Sequence, residues 1–179
     1  MNENFKKNRI SNERVTFHKK DIRDLDFMNE LITENDFVVN LAALVGEPLC
    51  KIKPEEAVEV NYEAAKNLAN LCKKKNIKKF IQLSTCSNYG QAKQMVDEDG
   101  ELFPTSLYAE TKVRLEKYLL QNVPNSIILR CATAYGLSIG RMRFDLLVSE
   151  FVKEAWVKKE INVYMPEVHR PIVHVSDIS

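Results

Sequence analysis

Tyr108 and Lys112 stand four residues apart in the stretch Ser106-Leu107-Tyr108-Ala109-Glu110-Thr111-Lys112. On a helix that spacing sets a phenol and an ammonium one above the other on a single face. Such a pair is a proton-transfer device. A phenol ordinarily titrates near ~10, and service as a base near neutrality needs that value lowered by roughly three, about 4 kcal/mol. One ammonium about 4 Å away, at an effective dielectric of ~20, supplies a stabilisation of about that size. The expectation is an acid/base tyrosine whose pKa Lys112 depresses. The spacing alone also occurs between ordinary surface residues, so the elements around it must decide.

Those elements alternate. Val15-Thr16-Phe17-His18 predicts a short strand, and Asp24 is a good N-cap for a helix carrying Leu25, Met28, Leu31 and Ile32. Residues 36–43 form a near-continuous apolar run ending in small residues, as expected of a buried parallel strand whose tip lets something approach closely. Pro54 opens a long helical pattern through Ala57, Val60, Ala64, Leu68 and Leu71 to Lys73, Lys74 and Lys75, cations that complement a helix C-terminus. Phe80 to Ser84 predicts the next strand, and a polar excursion from Tyr89-Gly90 to Pro104 follows. The Tyr108 helix has Val113, Leu115, Tyr118 and Leu119 as its core face. Then come a strand over 126–130, an exit loop over 133–136, a helix over 142–158 and a strand over 161–164. Residues 1–14 are polar and basic without a period and read as a tail or loop.

Strands alternating with helices of this length predict an α/β fold with a doubly wound parallel sheet. In such sheets ligands bind beyond the carboxyl ends of the strands. Asp21, Leu41, Ala42, Ala43, Ser84, Thr85, Cys131 and Thr133 all follow predicted strand ends, and the Tyr108 helix starts on the same side. That convergence singles out Tyr108 and Lys112.

A formal net charge of +1 over 179 residues provides no global footprint for nucleic acid or an anionic membrane. Cys50, Cys72, Cys86 and Cys131 are widely spaced and form no C-x-x-C, so no metal site or disulfide scaffold is indicated. No apolar run reaches membrane-spanning length and the start is polar, which points to a reducing, cytoplasmic setting.

The sequence resembles the extended short-chain dehydrogenase/reductase family, in particular its NAD-dependent nucleotide-sugar epimerases and dehydratases. The matching pieces are Asp21-Ile22-Arg23-Asp24, Asn40-Leu41-Ala42-Ala43, Val60-Asn61, Ser84-Thr85-Cys86-Ser87-Asn88-Tyr89-Gly90, Tyr108-x-x-x-Lys112, Leu129-Arg130 with Tyr135-Gly136, and Arg170-Pro171-x-Val173-His174-Val175, in the family's order. The resemblance implies a Rossmann-like domain that binds NAD, with NADP not excluded, and a nucleotide-diphosphate sugar as substrate. It implies that Thr85 hydrogen-bonds the reacting sugar oxygen, that Tyr108 removes the hydroxyl proton, and that Lys112 holds the cofactor ribose. Asp21 and Ile22 would meet the adenine, and Leu41, Ala42 and Ala43 would line the dinucleotide groove. Asn61 would support the nicotinamide end, Cys131 would act through its backbone, and Thr133 and Arg170 would contact the substrate's diphosphate. A homodimer is implied for a full-length protein of this kind.

Two departures qualify the resemblance. After Thr85 the dehydratase branch usually carries an Asp-Glu pair, whereas Cys86 and Ser87 are poor acid/bases at neutral pH, which favours epimerisation or keto-reduction over 4,6-dehydration. The five glycines, Gly46, Gly90, Gly100, Gly136 and Gly140, compose no G-x-x-G-x-x-G turn, the device that seats a pyrophosphate on a helix N-terminus. Residues 15–179 therefore read as a partial dinucleotide-binding domain running into the start of a substrate-binding region, a fragment whose sheet is incomplete. It is expected to bind NAD weakly by itself and to leave the strand at Phe37 with an unpaired edge. A non-catalytic binding protein or an inactive remnant is the alternative; intact Thr85, Tyr108 and Lys112 favour the enzyme.

Overall fold

The computed structural model describes residues 15–92, 94–137 and 142–179, so the expected tail over 1–14 lies outside the described residues. Two compact units are present: Lys19–Cys131, and a second comprising residues 15–18 and 132–179 of those described.

In the first unit three strands, β1 (Phe37–Asn40), β2 (Lys79–Thr85) and β3 (Ser126–Cys131), form one parallel sheet in the order β1-β2-β3. Phe37 pairs with Lys79, and Thr85 at the end of β2 pairs with Cys131 at the end of β3. Parallel neighbours need long crossovers, and helices supply them. Between β1 and β2 run α2 (Glu47–Ile52), α3 (Pro54–Val58) and α4 (Ala65–Lys74), with a π-helical segment over Glu59–Ala64 joining the last two. Between β2 and β3 lies α5 (Leu107–Asn122). Ahead of the sheet, α1 (Leu25–Leu31) starts where the Asp24 carboxylate accepts the Phe27 N–H at 3.2 Å.

The core forms where α4 and α5 meet the inner face of the sheet. Ala65, Leu68, Ala69 and Cys72 recur at helical spacing on α4 and are all buried, as are Val113, Leu115 and Leu119 on α5. Phe80, Leu115 and Leu119 are fully buried, each contributing about 2–3 kcal/mol of apolar burial. Tyr118, expected on the same face, is half-buried and donates its hydroxyl to Asn70 Oδ1 at 2.7 Å. Residues pointing the other way stay open: Phe37 is 63% exposed and Val39 53%, with Ile127 and Leu129 exposed beside them. Within the described residues β1 is an edge strand, as expected of an incomplete doubly wound sheet.

The second unit pairs β4 (Thr133–Tyr135) in parallel with β5 (Ile172–His174), followed by α7 (Val175–Ile178); α6 (Leu147–Lys158) lies between the two strands in sequence. Two expected strands are absent here: Val15–His18 and residues 161–164 have apolar alternation but join no sheet. A strand needs a neighbour to take its N–H and C=O groups, which local pattern cannot provide. Among the described residues no helix is long and apolar enough to cross a membrane.

Candidate active site

Each side chain at the carboxyl end of the sheet is placed by a local device. Ser106 caps α5, its Oγ accepting the Ala109 N–H at 3.3 Å, which puts Tyr108 in the first helical turn and Lys112 one turn below it. Thr85 ends β2 and caps the 3-10 turn Cys86–Tyr89, accepting the Ser87 N–H at 3.1 Å while its hydroxyl donates to Ser87 Oγ at 3.2 Å. Gly90 closes that turn with a φ of +61°. A Cβ there would lie 2.1 Å from the Phe103 carbonyl oxygen, so only glycine lets the excursion after Tyr89 fold back onto the turn.

These devices bring Thr85, Tyr108 and Lys112 together. The Thr85 side chain lies beside the Tyr108 hydroxyl, close enough to act on its pKa. Lys112 is 3% exposed, donates to the Leu83 carbonyl at 3.0 Å, and has its Nζ 5.8 Å from the centre of the Tyr108 ring. The electrostatics correct the expected depression of Tyr108. Burial pushes the phenol above its ordinary value, reinforced by the neighbouring Cys50, Cys86 and Cys131 thiols and only partly offset by Thr85. Burial also pushes Lys112 down, to about 8, against the opposing pull of Glu116. At this separation the two groups share a low-dielectric site, and desolvation outweighs their attraction.

The loop after β1 is held at both ends by buried asparagines. Asn40 donates to Gln82 Oε1 at 2.8 Å and accepts the Ala42 N–H at 3.1 Å. Asn61, turned inward by the π-helical segment, accepts the Leu44 N–H at 2.8 Å and donates to the Leu44 carbonyl at 3.1 Å. Leu41 and Ala42 stay exposed and Ala43 half-buried between these anchors, a small-residue ledge that a flat ligand can approach. Asn61, expected to support the nicotinamide end, is thus bonded to the loop after β1. Asp21 is exposed, and its carboxylate accepts the Arg23 N–H and guanidinium at 2.8–2.9 Å, which holds it down to about 2. Ile22, expected to pack on an adenine, has its side chain in the hydrophobic core with Ile32 and Val60. Cys131 is half-buried opposite Thr85, its thiol pushed up by burial.

In the second unit, the Thr133 N–H donates to the Pro171 carbonyl at 3.1 Å, next to exposed Arg170. The two expected diphosphate ligands are thus neighbours within that unit. Among the described residues no group of three or more His, Cys, Asp or Glu could hold a metal.

Sequence reasoning missed the polar cluster behind the site. Glu116 is 2% exposed and pairs with Arg130, whose Nε and Nη2 lie 3.0 and 2.8 Å from Oε2. Ser84 also donates to Glu116, and Asn88 donates to it at 2.8 Å. The available signal was its spacing, four residues after Lys112 and eight after Tyr108 on one helix face.

The model of the NAD dependent epimerase/dehydratase family matches residues 1–179. The UDP-glucose 4-epimerase of Rickettsia canadensis is 24% identical over 172 residues, 94% of this chain and 46% of that protein. A UDP-N-acetylglucosamine 4,6-dehydratase (inverting) of Campylobacter jejuni is 28% identical over 142 residues, covering 75% of this chain and 39% of its own length. Among solved structures, the UDP-N-acetylglucosamine 4-epimerase from Methanobrevibacter ruminantium in complex with UDP-N-acetylmuramic acid superposes with a TM-score of 0.83 at 27% identity, over 96% of this chain and 57% of that one. The chain spans less than half the length of these two curated relatives.

Proposed function

The chain belongs to the NAD-dependent epimerase/dehydratase family, and on that premise we propose that it carries the proton-transfer site of a nucleotide-sugar epimerase or keto-sugar reductase. The observation that carries this reading is the meeting of the Thr85 and Tyr108 side chains with the Lys112 ammonium buried beside them. Residues 15–179 are taken as a partial dinucleotide-binding domain running into the start of a substrate-binding region.

The residues fit the two ends of NAD and not its middle. Lys112 uses one of its three N–H groups on Leu83 and offers the others to a ribose. The ledge Leu41–Ala43 is small enough for the dinucleotide to lie on, with Asn61 fixing its far end and Cys131 contributing backbone on the opposite side. Asp21 and the backbone of Ile22 take the adenine end. No G-x-x-G-x-x-G turn occurs in the sequence, so these residues include no cradle for the pyrophosphate. NAD, when bound, supplies a hydride acceptor at its nicotinamide.

The chain's own residues handle the proton. Thr85 and Tyr108 face one region, where a sugar hydroxyl is oriented by Thr85 and loses its proton to the deprotonated form of Tyr108, the phenol being regenerated. With Lys112 at about 8, most of it is charged at pH 7, so a positive charge stands near the phenol when negative charge develops there. The raised Tyr108 favours the protonated phenol, which suits the return step in which a keto-sugar is protonated. Thr133 and Arg170 take the diphosphate, Arg170 because its planar fork can chelate a phosphate. Ser87 is already bonded to Thr85 and the Cys86 side chain is a thiol, so the turn offers no carboxylic acid for water elimination, which favours epimerisation over dehydration.

The test is turnover. A chain joined to the parts of the Methanobrevibacter epimerase that it does not cover is given NAD and a panel of UDP- and dTDP-sugars, with products read by proton NMR. Inversion at a sugar carbon is expected, and Tyr108→Phe should lower turnover by about 10²–10⁴-fold while nucleotide-sugar binding stays within a few-fold. Full turnover in the Phe variant would refute the assignment.

A further inference from the structure

Nine positions along α5 place three ionisable groups on one face: Tyr108, Lys112 and Glu116, at i, i+4 and i+8. The first two belong to the proposed reaction. The third is buried and gathers its partners from three other segments. Ser84, which donates to it, immediately precedes Thr85 on β2. Asn88, which donates at 2.8 Å, lies in the turn that Thr85 caps. Arg130, bound through Nε and Nη2, immediately precedes Cys131 on β3. Asn88 also donates to Ser84 at 3.1 Å, and its Oδ1 has no partner among the described residues. The amide is therefore oriented by the carboxylate and the serine it serves, at the expense of its own acceptor. Arg130 in turn reaches the Tyr89 hydroxyl at 2.8 Å and the Glu98 carbonyl at 2.9 Å, which ties the end of the turn and the excursion beyond it to the same node.

We propose that Glu116 is the positioning residue of this site: one buried carboxylate locks the strand ends that carry Thr85 and Cys131 onto the helix that carries Tyr108 and Lys112, and sets a negative charge one turn from the Lys112 ammonium. The proposal rests on the reading that Thr85, Tyr108 and Lys112 do the chemistry. It assigns Glu116 no contact with substrate or cofactor. Geometry supplies the first half, because every segment holding a reacting residue is joined to Glu116 either by its own chain or by a neighbour's hydrogen bond. Charge supplies the second. The groups facing Lys112 are Tyr108 and Glu116 on its own helix, Cys50 on α2 and the Leu83 carbonyl on β2. Of these only Glu116 is a carboxylate.

The experiment is independent of turnover. The lysines of the 179-residue chain are labelled with carbon-13 at Cε, and Lys112, assigned by its loss in Lys112→Met, is titrated by NMR in the unmodified chain, in Glu116→Gln and in Glu116→Asp. Glu116→Gln should move the Lys112 midpoint down by about one pH unit, a tenfold change in its acid constant, while Glu116→Asp, which keeps the charge, leaves it within a few tenths. Amide shifts of Thr85 and Cys131 should move in Glu116→Gln more than those of Phe37 and Val38, which lie on the same sheet away from the node. Unmoved Lys112, Thr85 and Cys131 in a folded Glu116→Gln chain would overturn the proposal and leave Glu116 a structural ion pair. Should that variant fail to fold, Glu116→Gln with Arg130→Met removes both charges together. Lys112 should then fall by less, because the Arg130 cation leaves with the carboxylate, while the Thr85 and Cys131 amides should still shift; unmoved Lys112, Thr85 and Cys131 would be equally fatal. Absent epimerisation with a shifted Lys112 would instead count against the proposed reaction and spare the positioning role.

Discussion

Replacing Arg130 by methionine isolates the buried ion pair. Arg130 has 17% of its side chain exposed and its partner Glu116 only 2%, so the variant strands a carboxylate that keeps just Ser84 and Asn88 as donors. Breaking a buried pair from one side costs about 3–5 kcal/mol, because the remaining charge has lost both water and its counter-ion. The Tyr89 hydroxyl and the Glu98 carbonyl also lose a donor, but both are near enough to solvent for water to replace most of that, so about 4 kcal/mol is the expected total. At a urea dependence of about 2 kcal/mol per molar, the midpoint should fall by about 2 M. A second variant, Arg130→Met with Glu116→Leu, removes both charges and should recover most of the loss, since an apolar pair of similar volume replaces an ionic one at little net cost. The exposed Lys51–Glu47 pair serves as the contrast: Lys51→Ala should cost less than about 1 kcal/mol. Urea unfolding followed by circular dichroism at pH 7 measures all of these. An Arg130→Met cost below about 1 kcal/mol, with no recovery in the double variant, would mean that Glu116 is not held as described.

Two further outcomes follow from the same geometry. Asn61→Ala removes both bonds to Leu44, so the Leu44 amide should exchange with deuterium at least tenfold faster while the amides of β2 keep their protection, and equal exchange would refute the anchoring of the loop. Lys112 carries a folded-state value of about 8, below its usual 10.5, so its charge destabilises the fold by ~3 kcal/mol at pH 7 and this penalty fades as pH rises from about 8 towards 10.5. Lys112→Met should consequently raise the urea midpoint at pH 7 and narrow its advantage at pH 10; an advantage independent of pH would show that Lys112 is not desolvated.

How far these features could be read from the residues depends on whether a local pattern or a distant partner creates them. The Tyr108 helix was legible because Ser106, the apolar residues Val113, Leu115 and Leu119, and the four-residue spacing are all local. The three strands of the first sheet were legible for the same reason, as apolar runs bounded by turn residues. Val15–His18 has an equally apolar pattern yet forms no strand, since nothing within the chain tells it which neighbour will accept its hydrogen bonds. Residues 47–52 form a helix that the pattern did not reveal; its cue was Pro48 after a glycine with positive φ, a signal that exists only once the backbone is known. Glu116 escaped because its burial depends on Arg130, which approaches from another strand. The Tyr108 pKa was misjudged because the ammonium was counted and the desolvation was not.

The π-helical segment Glu59–Ala64 bears on which changes of length the chain can accept. Such a turn holds one residue more than the α-helical turn it interrupts. Deleting a single residue there would restore regular i to i−4 bonding and leave α3 and α4 as one uninterrupted helix, so the fold would tolerate it. It would leave the two flanking halves with their present faces to the core and carry Asn61 away from Leu44. A one-residue deletion in this segment is therefore neutral for folding and damaging for the ledge. Relatives that keep the ledge are expected to keep the surplus residue, and a relative shortened by one at this place is expected to have given up the loop it anchors.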